Sequence, residues 1–348
     1  SVGLHGEPFA NRQSSTHNTN FHRTSMPTMR STILSCTISS CTVLFCFWSG
    51  TTLAQSITSV TPRSVKPGAT TELTVTGKGF DSSLRFLNHA NSQITIESVE
   101  AEKAIIKFKT PSETRLGPIG LWAATNAGTT APTIILVDDL DVVADNGQNH
   151  ELEKAQSVPA SIAIDGVSDG AKSDYYRVHV EANQRIAVEA LTQTLDSAMD
   201  PVIRLLKADG EPVLIADDDG VGPECRFSRQ FTATGDYVIE IRDSGYASGG
   251  TYHLRIGDFP LVSHCFPLAV QRGQTTTVSF TSLDQKDPNP SELVLQDSES
   301  APTQNIACRF NDGQSSAWRP IQVSPAPQHL ESEDRPTPRH NRNASAIT

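Results

Sequence analysis

Short segments in which apolar and polar residues alternate recur along the chain from about residue 56 onwards. Residues 174–180 and 235–241 are clear examples, with tyrosine and aliphatic residues at alternate positions. Strict alternation places these side chains on one face of a β-strand. Glycine, proline, asparagine and aspartate separate the segments at short intervals, as they do where strands are joined by tight turns. The pattern predicts an all-β chain made of tandem β-sandwiches.

A self-match indicates that this chain is modular. Residues 62–76 recur as residues 267–281, and the two copies share the same alternation of apolar positions. Internal similarity of this kind predicts repeated modules, with chance resemblance between two strand openings as the alternative. Six positions are identical without a gap: Pro62/Pro267, Val65/Val270, Gly68/Gly273, Thr70/Thr275, Thr71/Thr276 and Thr76/Thr281.

Composition limits the classes of function that are open to this protein. A chain of 348 residues has room for about two or three domains. The formal net charge is −11, and a negative field repels phosphate backbones. We therefore expect no nucleic-acid partner. The acidity is compatible with bound calcium or simply with solubility.

The first part of the chain resembles an export signal. Arg30 is followed by an uncharged, largely apolar run that ends near Trp48, and small residues lead to Ala54. A basic start, an apolar middle and small residues before the cleavage point predict a secretory signal peptide at about 29–54. The run is too short and too rich in serine and threonine for a membrane span, so we expect no stable span after cleavage. The mature protein is then exported to the periplasm, the cell surface or the medium.

Two methionines precede the apolar run, and this bears on the start of the protein. We expect translation to begin at Met26 or Met29, so that residues 1–25 are a mis-assigned start. Three cysteines leave with the signal peptide, while Cys225, Cys265 and Cys308 remain. Their long spacing excludes a CxxC-type zinc site. An oxidising compartment allows one disulfide among them, and the sequence leaves the pair open.

The first copy of the repeat carries a recognisable motif. It consists of Pro62-x-x-Val65-x-x-Gly68, followed by Leu73-x-Val75-x-Gly77-x-Gly79-Phe80. This pattern resembles the IPT/TIG class of immunoglobulin-like domains. The resemblance implies a small antiparallel sandwich, and any other Ig-like sandwich is an equal alternative.

The middle of the chain has a longer series of motifs. The series as a whole resembles the bacterial pre-peptidase C-terminal domain. That resemblance implies a jelly-roll-like, non-catalytic accessory sandwich of exported proteins, often proteases. The motifs occur in this order: Asp174-x-Tyr176, Ala182-Asn-Gln, Leu195-Asp196, Asp200-Pro-Val-Ile-Arg-Leu-Leu, Ala208-Asp-Gly, Asp217-Asp218, Gly235-Asp-Tyr-Val-Ile and Tyr252-x-Leu.

The same resemblance raises the question of calcium. Relatives in collagenases use calcium at the linker before the first strand, and calcium needs several convergent oxygen ligands. Asn149, Asp169 and Asp174 are the candidate ligands at the matching positions. His150, however, stands where the family pattern has a second Asn or Asp. Lys172 stands where it has the first acid of an Asp-x-Asp pair, and a cation at that position works against calcium. A second oxygen-rich loop, 217–219, is better explained as a solvated hairpin end.

No arrangement of residues in this sequence indicates catalysis. His150-Glu151 begins like a zinc-protease helix, but Lys154 occupies the place of the second histidine. Ser248 lies in a glycine-rich loop that is not a nucleophile elbow. His89, His179, His253 and His264 are assigned to different modules or to exposed strand faces, with no nucleophile beside them. We therefore expect no enzyme.

These observations define the predicted organisation and function. We expect a non-catalytic exported or cell-surface protein whose sandwiches bind a polysaccharide, a peptide or an extracellular matrix ligand. The alternative is an accessory or truncated segment of a larger secreted hydrolase. The predicted segments are the start and signal peptide (1–55), an Ig-like IPT/TIG-type sandwich (56–138), a pre-peptidase-C-terminal-like sandwich (146–260), a second, incomplete Ig-like module (261–324) and a disordered tail (325–348).

Overall fold

A computed structural model describes residues 55–216, 224–283, 287–295 and 301–328, which all belong to one compact unit. These residues form 25 β-strands and two short 3₁₀ helices, Leu152–Lys154 and Gln193–Leu195, with no α-helix among them. The prediction of an all-β fold made of sandwiches is therefore confirmed. No helix in the described part of the chain is long and apolar enough to cross a membrane. The predicted signal peptide, the acidic loop 217–219 and positions 329–348 of the predicted tail lie outside the described residues.

The first sandwich consists of two sheets with the strand orders β1-β3-β6-β5 and β2-β9-β7-β4, and β8 pairs with β7. Leu73, Ile106 and Leu121 lie between the sheets and are fully buried. The strands are β1 Ser56–Thr61, β2 Ser64–Val65, β3 Thr70–Lys78, β4 Arg85–Asn88, β5 Gln93–Val99, β6 Lys103–Lys109, β7 Gly117–Thr125, β8 Gly128–Thr129 and β9 Thr133–Val137.

The middle sandwich consists of two five-stranded sheets. We call β10-β12-β19-β14-β17 the front sheet and β11-β13-β18-β15-β16 the back sheet. Tyr176, Tyr252 and Ile203 belong to the core between them. The strands are β10 Val142–Ala144, β11 Gln156–Val158, β12 Ile162–Asp169, β13 Asp174–Val180, β14 Arg185–Leu191, β15 Pro201–Lys207, β16 Pro212–Ala216, β17 Cys225–Gln230, β18 Gly235–Asp243 and β19 Ser248–Gly257.

The third sandwich consists of two three-stranded sheets, β20-β22-β23 and β21-β25-β24. Val278, Phe280 and Ile321 are buried between them. Cys265 and Cys308 also lie in this core, whereas Cys225 lies in the middle core, and none of the three forms a disulfide. The strands are β20 Val262–Phe266, β21 Ala269–Gln271, β22 Thr275–Ser282, β23 Ser291–Val294, β24 Thr303–Cys308 and β25 Ala317–Ser324.

The first and third sandwiches have the same local geometry throughout the self-matching segment. Pro62 and Pro267 both follow a cis peptide bond, and Gly68 and Gly273 both have positive φ, 73° and 71°. β1 pairs with β3, and β20 with β22, with the same register and a bulge at the same place. Short strands β2 and β21 each run parallel to the last strand of their sandwich. The sequence repeat is therefore also a structural repeat.

Among the described residues, the third sandwich has no counterparts of the edge strands β4 and β5. In the first sandwich β3 and β6 are separated by residues 79–102, which contain these two strands, one in each sheet, whereas only 283–290 separate β22 from β23. The edges that β4 and β5 would occupy, at β24 and β23, lie against the first sandwich. Arg115 Nη2 donates to the Val294 carbonyl at 2.9 Å, and Arg115 Nη1 donates to Gln304 Oε1 at 3.1 Å. A Cβ on Gly117 would lie 2.2 Å from Asn305 Nδ2, so only glycine allows this approach.

The first and third sandwiches both pack on the outer face of the front sheet, the face opposite the middle core. The apolar core of the first sandwich includes Leu191 and Leu195 from the middle one, and that of the third includes Ala163 and Ala187. The two alanines are completely buried, and their small side chains let the third sandwich come close. The central part of the front sheet is therefore covered on both faces, and its outward side chains there, such as Glu189, His253 and Arg255, are interior residues.

Candidate functional site

A group of buried charged side chains lies where the three sandwiches meet. We call it the junction cluster, and it contains three cationic and three anionic residues. Burying charges is costly unless each of them is paired and hydrogen-bonded. The balanced composition shows how this protein meets that requirement. The members are Arg226, His253, Arg255, Asp138, Asp165 and Glu189.

Arg255 is the centre of the junction cluster. Its side chain is 0% exposed, and its Nε and Nη2 donate to the two oxygens of Asp138 at 2.7 and 3.1 Å. Nη1 donates to Glu189 at 3.1 Å, and Nη2 also donates to the Ser316 carbonyl at 2.7 Å. The guanidinium carbon lies 4.3 Å from the ring centre of Phe259 and 4.4 Å from that of Trp318. Arg255 thus joins all three sandwiches.

His253 extends the cluster to the first and middle sandwiches. Its Nδ1 lies 2.7 Å from Asp165 Oδ1 and its Nε2 lies 3.4 Å from Asp138 Oδ2. Burial alone would lower the pKa of His253, but hydrogen bonds to Asp138 and Asp165 outweigh burial and raise the pKa to about 9. The ring is therefore an imidazolium that donates from both nitrogens. Asp165 Oδ2 in turn accepts the Arg63 backbone N–H at 2.7 Å.

Asp138 connects the end of the first sandwich to both cations. Burial raises the pKa of Asp138, but the charge of Arg255 and the hydrogen bonds from His253 and Arg255 outweigh burial and hold the pKa well below its usual range. The assignment of His253 to an exposed strand face is wrong, because the outer face of the front sheet is covered. Alternation had shown on which face His253 and Arg255 lie, but not what covers that face.

A cleft of about 370 Å³ opens beside the junction cluster, between the three sandwiches. Pro118 contributes to it from the first sandwich and Trp318 from the third. The middle sandwich contributes two acidic residues and one arginine. The lining residues are Pro118, Glu189, Leu191, Thr194, Glu224, Arg226, Ser263, Asn305, Trp318, Arg319 and Pro320.

The charged groups of the cleft are held in place by hydrogen bonds. Glu224 accepts the backbone N–H groups of Thr192 and Thr194, each at 2.7 Å. Arg226 Nη1 and Arg319 Nε both donate to the Val262 carbonyl, at 3.2 and 2.7 Å. Two carboxylates and two guanidinium groups give the cleft no net charge. A cleft of this kind is suited to hydrogen-bonding a neutral, polar ligand without rearrangement.

The three predicted calcium ligands lie close to one another at the linker before β13, but the ring of His150 lies between two of them. His150 Nε2 is 3.0 Å from Asp169 Oδ2, and Nδ1 is 3.1 Å from Asp174 Oδ1. Asn149 is completely buried, and its Oδ1 has no hydrogen-bond partner. Lys172 Nζ lies 4.0 Å from the Asp169 carboxylate.

This donor set does not fit a calcium ion as it stands. Both carboxylates contact the His150 ring, Asp169 also lies near Lys172, and Asp174 Oδ2 accepts the Tyr252 hydroxyl at 2.6 Å. Burial is the main reason that the pKa of Asp174 is raised to about 6. Calcium prefers ionised carboxylates. The described residues contain no group of three or more His, Cys, Asp or Glu side chains arranged to hold a metal.

The residues considered for catalysis are not brought together. His179 is exposed and its Nδ1 lies 2.7 Å from Asp236. His264 Nδ1 contacts only its neighbour Ser263, at 2.9 Å. Ser248 starts β19, and His89 lies beside Trp122 in the first sandwich.

Comparison with known proteins finds similarity among solved structures. No family model matches the chain, and no curated protein does. Among solved structures, the pre-peptidase C-terminal domain of a Bacillus anthracis collagenase is 16% identical, with a TM-score of 0.25, over 29% of this chain and 93% of that domain.

Two longer structural matches are also weak. The Yersinia pseudotuberculosis adhesin InvE is 11% identical, with a TM-score of 0.21, over 74% of this chain and 63% of the adhesin. SGBP-B of the Bacteroides ovatus mixed-linkage glucan utilization locus, solved with a mixed-linkage heptasaccharide, is 9% identical, with a TM-score of 0.18, over 56% of this chain and 72% of that protein. At such values a shared function does not follow.

Removing one partner of the junction cluster tests its role in stability. Asp138→Ala leaves Arg255 and His253 buried without their shared acceptor, and we expect the free energy of unfolding to fall by about 3–5 kcal/mol. Asp141→Ala is the control, because it removes only the exposed Lys66–Asp141 pair and costs less than about 1 kcal/mol. Urea unfolding measures both. Equal stability of the two variants would contradict the central role of Asp138.

The raised pKa of His253 predicts a pH dependence. The contribution of the His253 imidazolium to the free energy of unfolding is fully present below the unfolded-state pKa of about 6.5. It is lost as pH rises through about 9, the pKa of His253 in the folded protein. The difference corresponds to about 3 kcal/mol, so urea unfolding should show a lower free energy at pH 9.5 than at pH 6.5. His253→Gln carries no titrating group and should lack this decline. If the unaltered protein and His253→Gln showed the same decline, the pH dependence would have to come from another residue.

Replacing His150 tests the predicted calcium site. We expect calcium to leave the melting temperature of the unaltered protein unchanged, because His150 lies between the two carboxylates. His150→Asp supplies an oxygen ligand there, and calcium should then stabilise the protein by mass action, reversibly with EDTA. Differential scanning fluorimetry distinguishes the cases. Stabilisation of the unaltered protein by calcium would show that Asn149, Asp169 and Asp174 bind the ion despite His150.

Proposed function

We propose that this chain is a non-catalytic exported protein that binds an extracellular ligand in the cleft between its three sandwiches. The ligand classes that suit such a protein are a polysaccharide, a peptide or a matrix component. The observation that carries the proposal is the cleft itself, because all three sandwiches contribute to it and the junction cluster fixes their positions around it.

Preorganisation supports binding as the role of the cleft. Glu224, Arg226 and Arg319 are each hydrogen-bonded to protein groups, so their positions are set before a ligand arrives. A site that does not rearrange loses less free energy to the ordering of side chains on binding. Arg226 and Glu189 are nearly buried and face each other at 3.7 Å, which leaves the cleft electrically balanced.

The chemistry of the cleft wall supports a neutral ligand. The protein as a whole is acidic, and the cleft adds no positive field to attract an anionic polymer. Asn305 and Ser263 each provide both donor and acceptor groups, which match hydroxyl or amide groups on a ligand. Pro118, Pro320 and Trp318 form the apolar part of the cleft wall. Neutral polysaccharide and extended peptide both meet these conditions.

Asn305→Ala tests the cleft by removing an amide from its wall. The measurement is isothermal titration of the full chain with soluble neutral glucans, collagen peptides and proline-rich peptides. We expect one class to bind, and Asn305→Ala to weaken its binding by about tenfold, the equivalent of one or two lost hydrogen bonds. Asn126→Ala is the matched control, because Asn126 is exposed in a turn of the first sandwich.

Two outcomes would contradict the proposal. Equal affinity of Asn305→Ala and the unaltered protein would place the ligand elsewhere on the molecule. Absence of binding across the whole panel would leave the three sandwiches with a purely structural role.

A further inference from the structure

An aromatic surface lies in the first sandwich, outside the cleft. The outer face of the sheet β2-β9-β7-β4 carries Trp122 on β7 and Leu87 directly opposite it on β4. His89 follows β4, and its ring centre lies 6.1 Å from that of Trp122 at an angle of 67°. Leu87, on this edge strand, is 47% exposed. We call Trp122, Leu87 and His89 the aromatic platform.

Gly120 fixes how the indole of Trp122 lies. A Cβ at Gly120 would be 2.6, 2.9 and 3.2 Å from three carbons of the six-membered ring. Because the three distances are nearly equal, the ring lies across Gly120 rather than pointing at it end-on. One indole face therefore rests on the strand, and the side chain remains partly exposed. The close approach is open only to glycine, since any side chain at position 120 would lift the ring.

His89 is held so that it presents a single hydrogen-bond donor. The Gly120 backbone N–H donates to His89 Nδ1 at 3.3 Å, so Nδ1 is unprotonated. Partial burial lowers the pKa of His89, and the neutral ring must then carry its proton on Nε2. The turn that contains the histidine is fixed by Asn88, whose Oδ1 accepts the N–H groups of Ala90 and Ser92 at 3.0 and 3.2 Å.

We propose that the aromatic platform binds a pyranose ring of a neutral glycan, with the sugar stacked on Trp122 and a hydroxyl accepting from His89 Nε2–H. A pyranose ring has an apolar C–H face and a polar rim. The flat indole of Trp122 can stack on the C–H face, and the Nε2–H of His89 can donate to a hydroxyl of the polar rim. The stacking and donor groups themselves, Trp122 and His89, carry no charge. Arg85 lies beside the platform, two residues before Leu87 on the same face of β4.

The shape of the surface favours an internal sugar of a long chain. The platform belongs to the outer face of a sheet, and none of its three residues lines the cleft between the sandwiches. A flat surface of this kind lets a polymer continue in both directions, whereas the end of a chain is better recognised in a closed pocket. A proline-rich peptide is the competing ligand, because proline also stacks on indole.

The two tryptophans allow this site to be tested separately from the cleft. Trp122 belongs to the platform and Trp318 to the cleft wall, and Trp48 is the one other tryptophan in the sequence. The full chain with Trp48→Phe and Trp318→Phe reports only on the platform. The full chain with Trp48→Phe and Trp122→Phe reports only on the cleft.

The experiment titrates each single-tryptophan protein with cellohexaose, maltohexaose, soluble mixed-linkage β-glucan and a proline-rich peptide. We expect a glucan to shift the emission of Trp122. In isothermal titration of the otherwise unaltered chain, Trp122→Ala should weaken glucan binding by at least about tenfold, and His89→Phe by a smaller factor. Gly120→Ala keeps the indole but tilts it, so it should also weaken binding. Circular dichroism and melting temperature check that each variant is folded.

The outcomes separate the two sites. A Trp122 response to the peptide alone, or to no probe, would overturn the glycan assignment. Unchanged glucan affinity in Trp122→Ala would do the same. A response of Trp318 without one of Trp122 would support the cleft and reject the platform, and the reverse result would reject the cleft alone.

Discussion

The hydrogen bonds between Arg255 and Asp138 are the interaction on which the arrangement of the three sandwiches depends. Asp138 directly follows the last strand of the first sandwich, Arg255 belongs to the front sheet, and Trp318 of the third sandwich covers the guanidinium. Each partner is completely buried, so neither can leave without exposing the other to an environment that does not solvate charge. Polar interactions of this kind are directional, and here they fix an orientation that apolar packing alone would leave free.

The cleft is a consequence of this orientation. Its floor includes Glu189, which contacts Arg255, and its wall includes Trp318, which stacks on Arg255. The platform on the first sandwich is different, because its geometry depends on Gly120 and the adjacent turn alone. One candidate site therefore requires the assembled protein and the other requires only one sandwich.

Much of the fold could be predicted from the sequence, because the alternation of apolar and polar residues identifies strands. The segment 174–180 coincides with β13, 235–241 lies within β18, and the repeated segment has the same bulge and turn in both copies. The burial of His253 and Arg255 could not be predicted, since alternation shows on which face of a strand a residue lies but not what packs against that face. A signal was present in Ala163 and Ala187, whose small side chains on an outward face indicate close packing. The cleft joins residues more than a hundred positions apart, and no local pattern encodes it.

The two missing edge strands of the third sandwich have a consequence for how such repeats can be arranged. Arg115 and Gly117 of the first sandwich lie against the edges that those strands would otherwise occupy. A complete copy of the repeat could not take this place, because its edge strands would collide with the first sandwich. Because the third sandwich is shorter, the two copies cannot exchange places, and their shapes therefore determine their order along the chain.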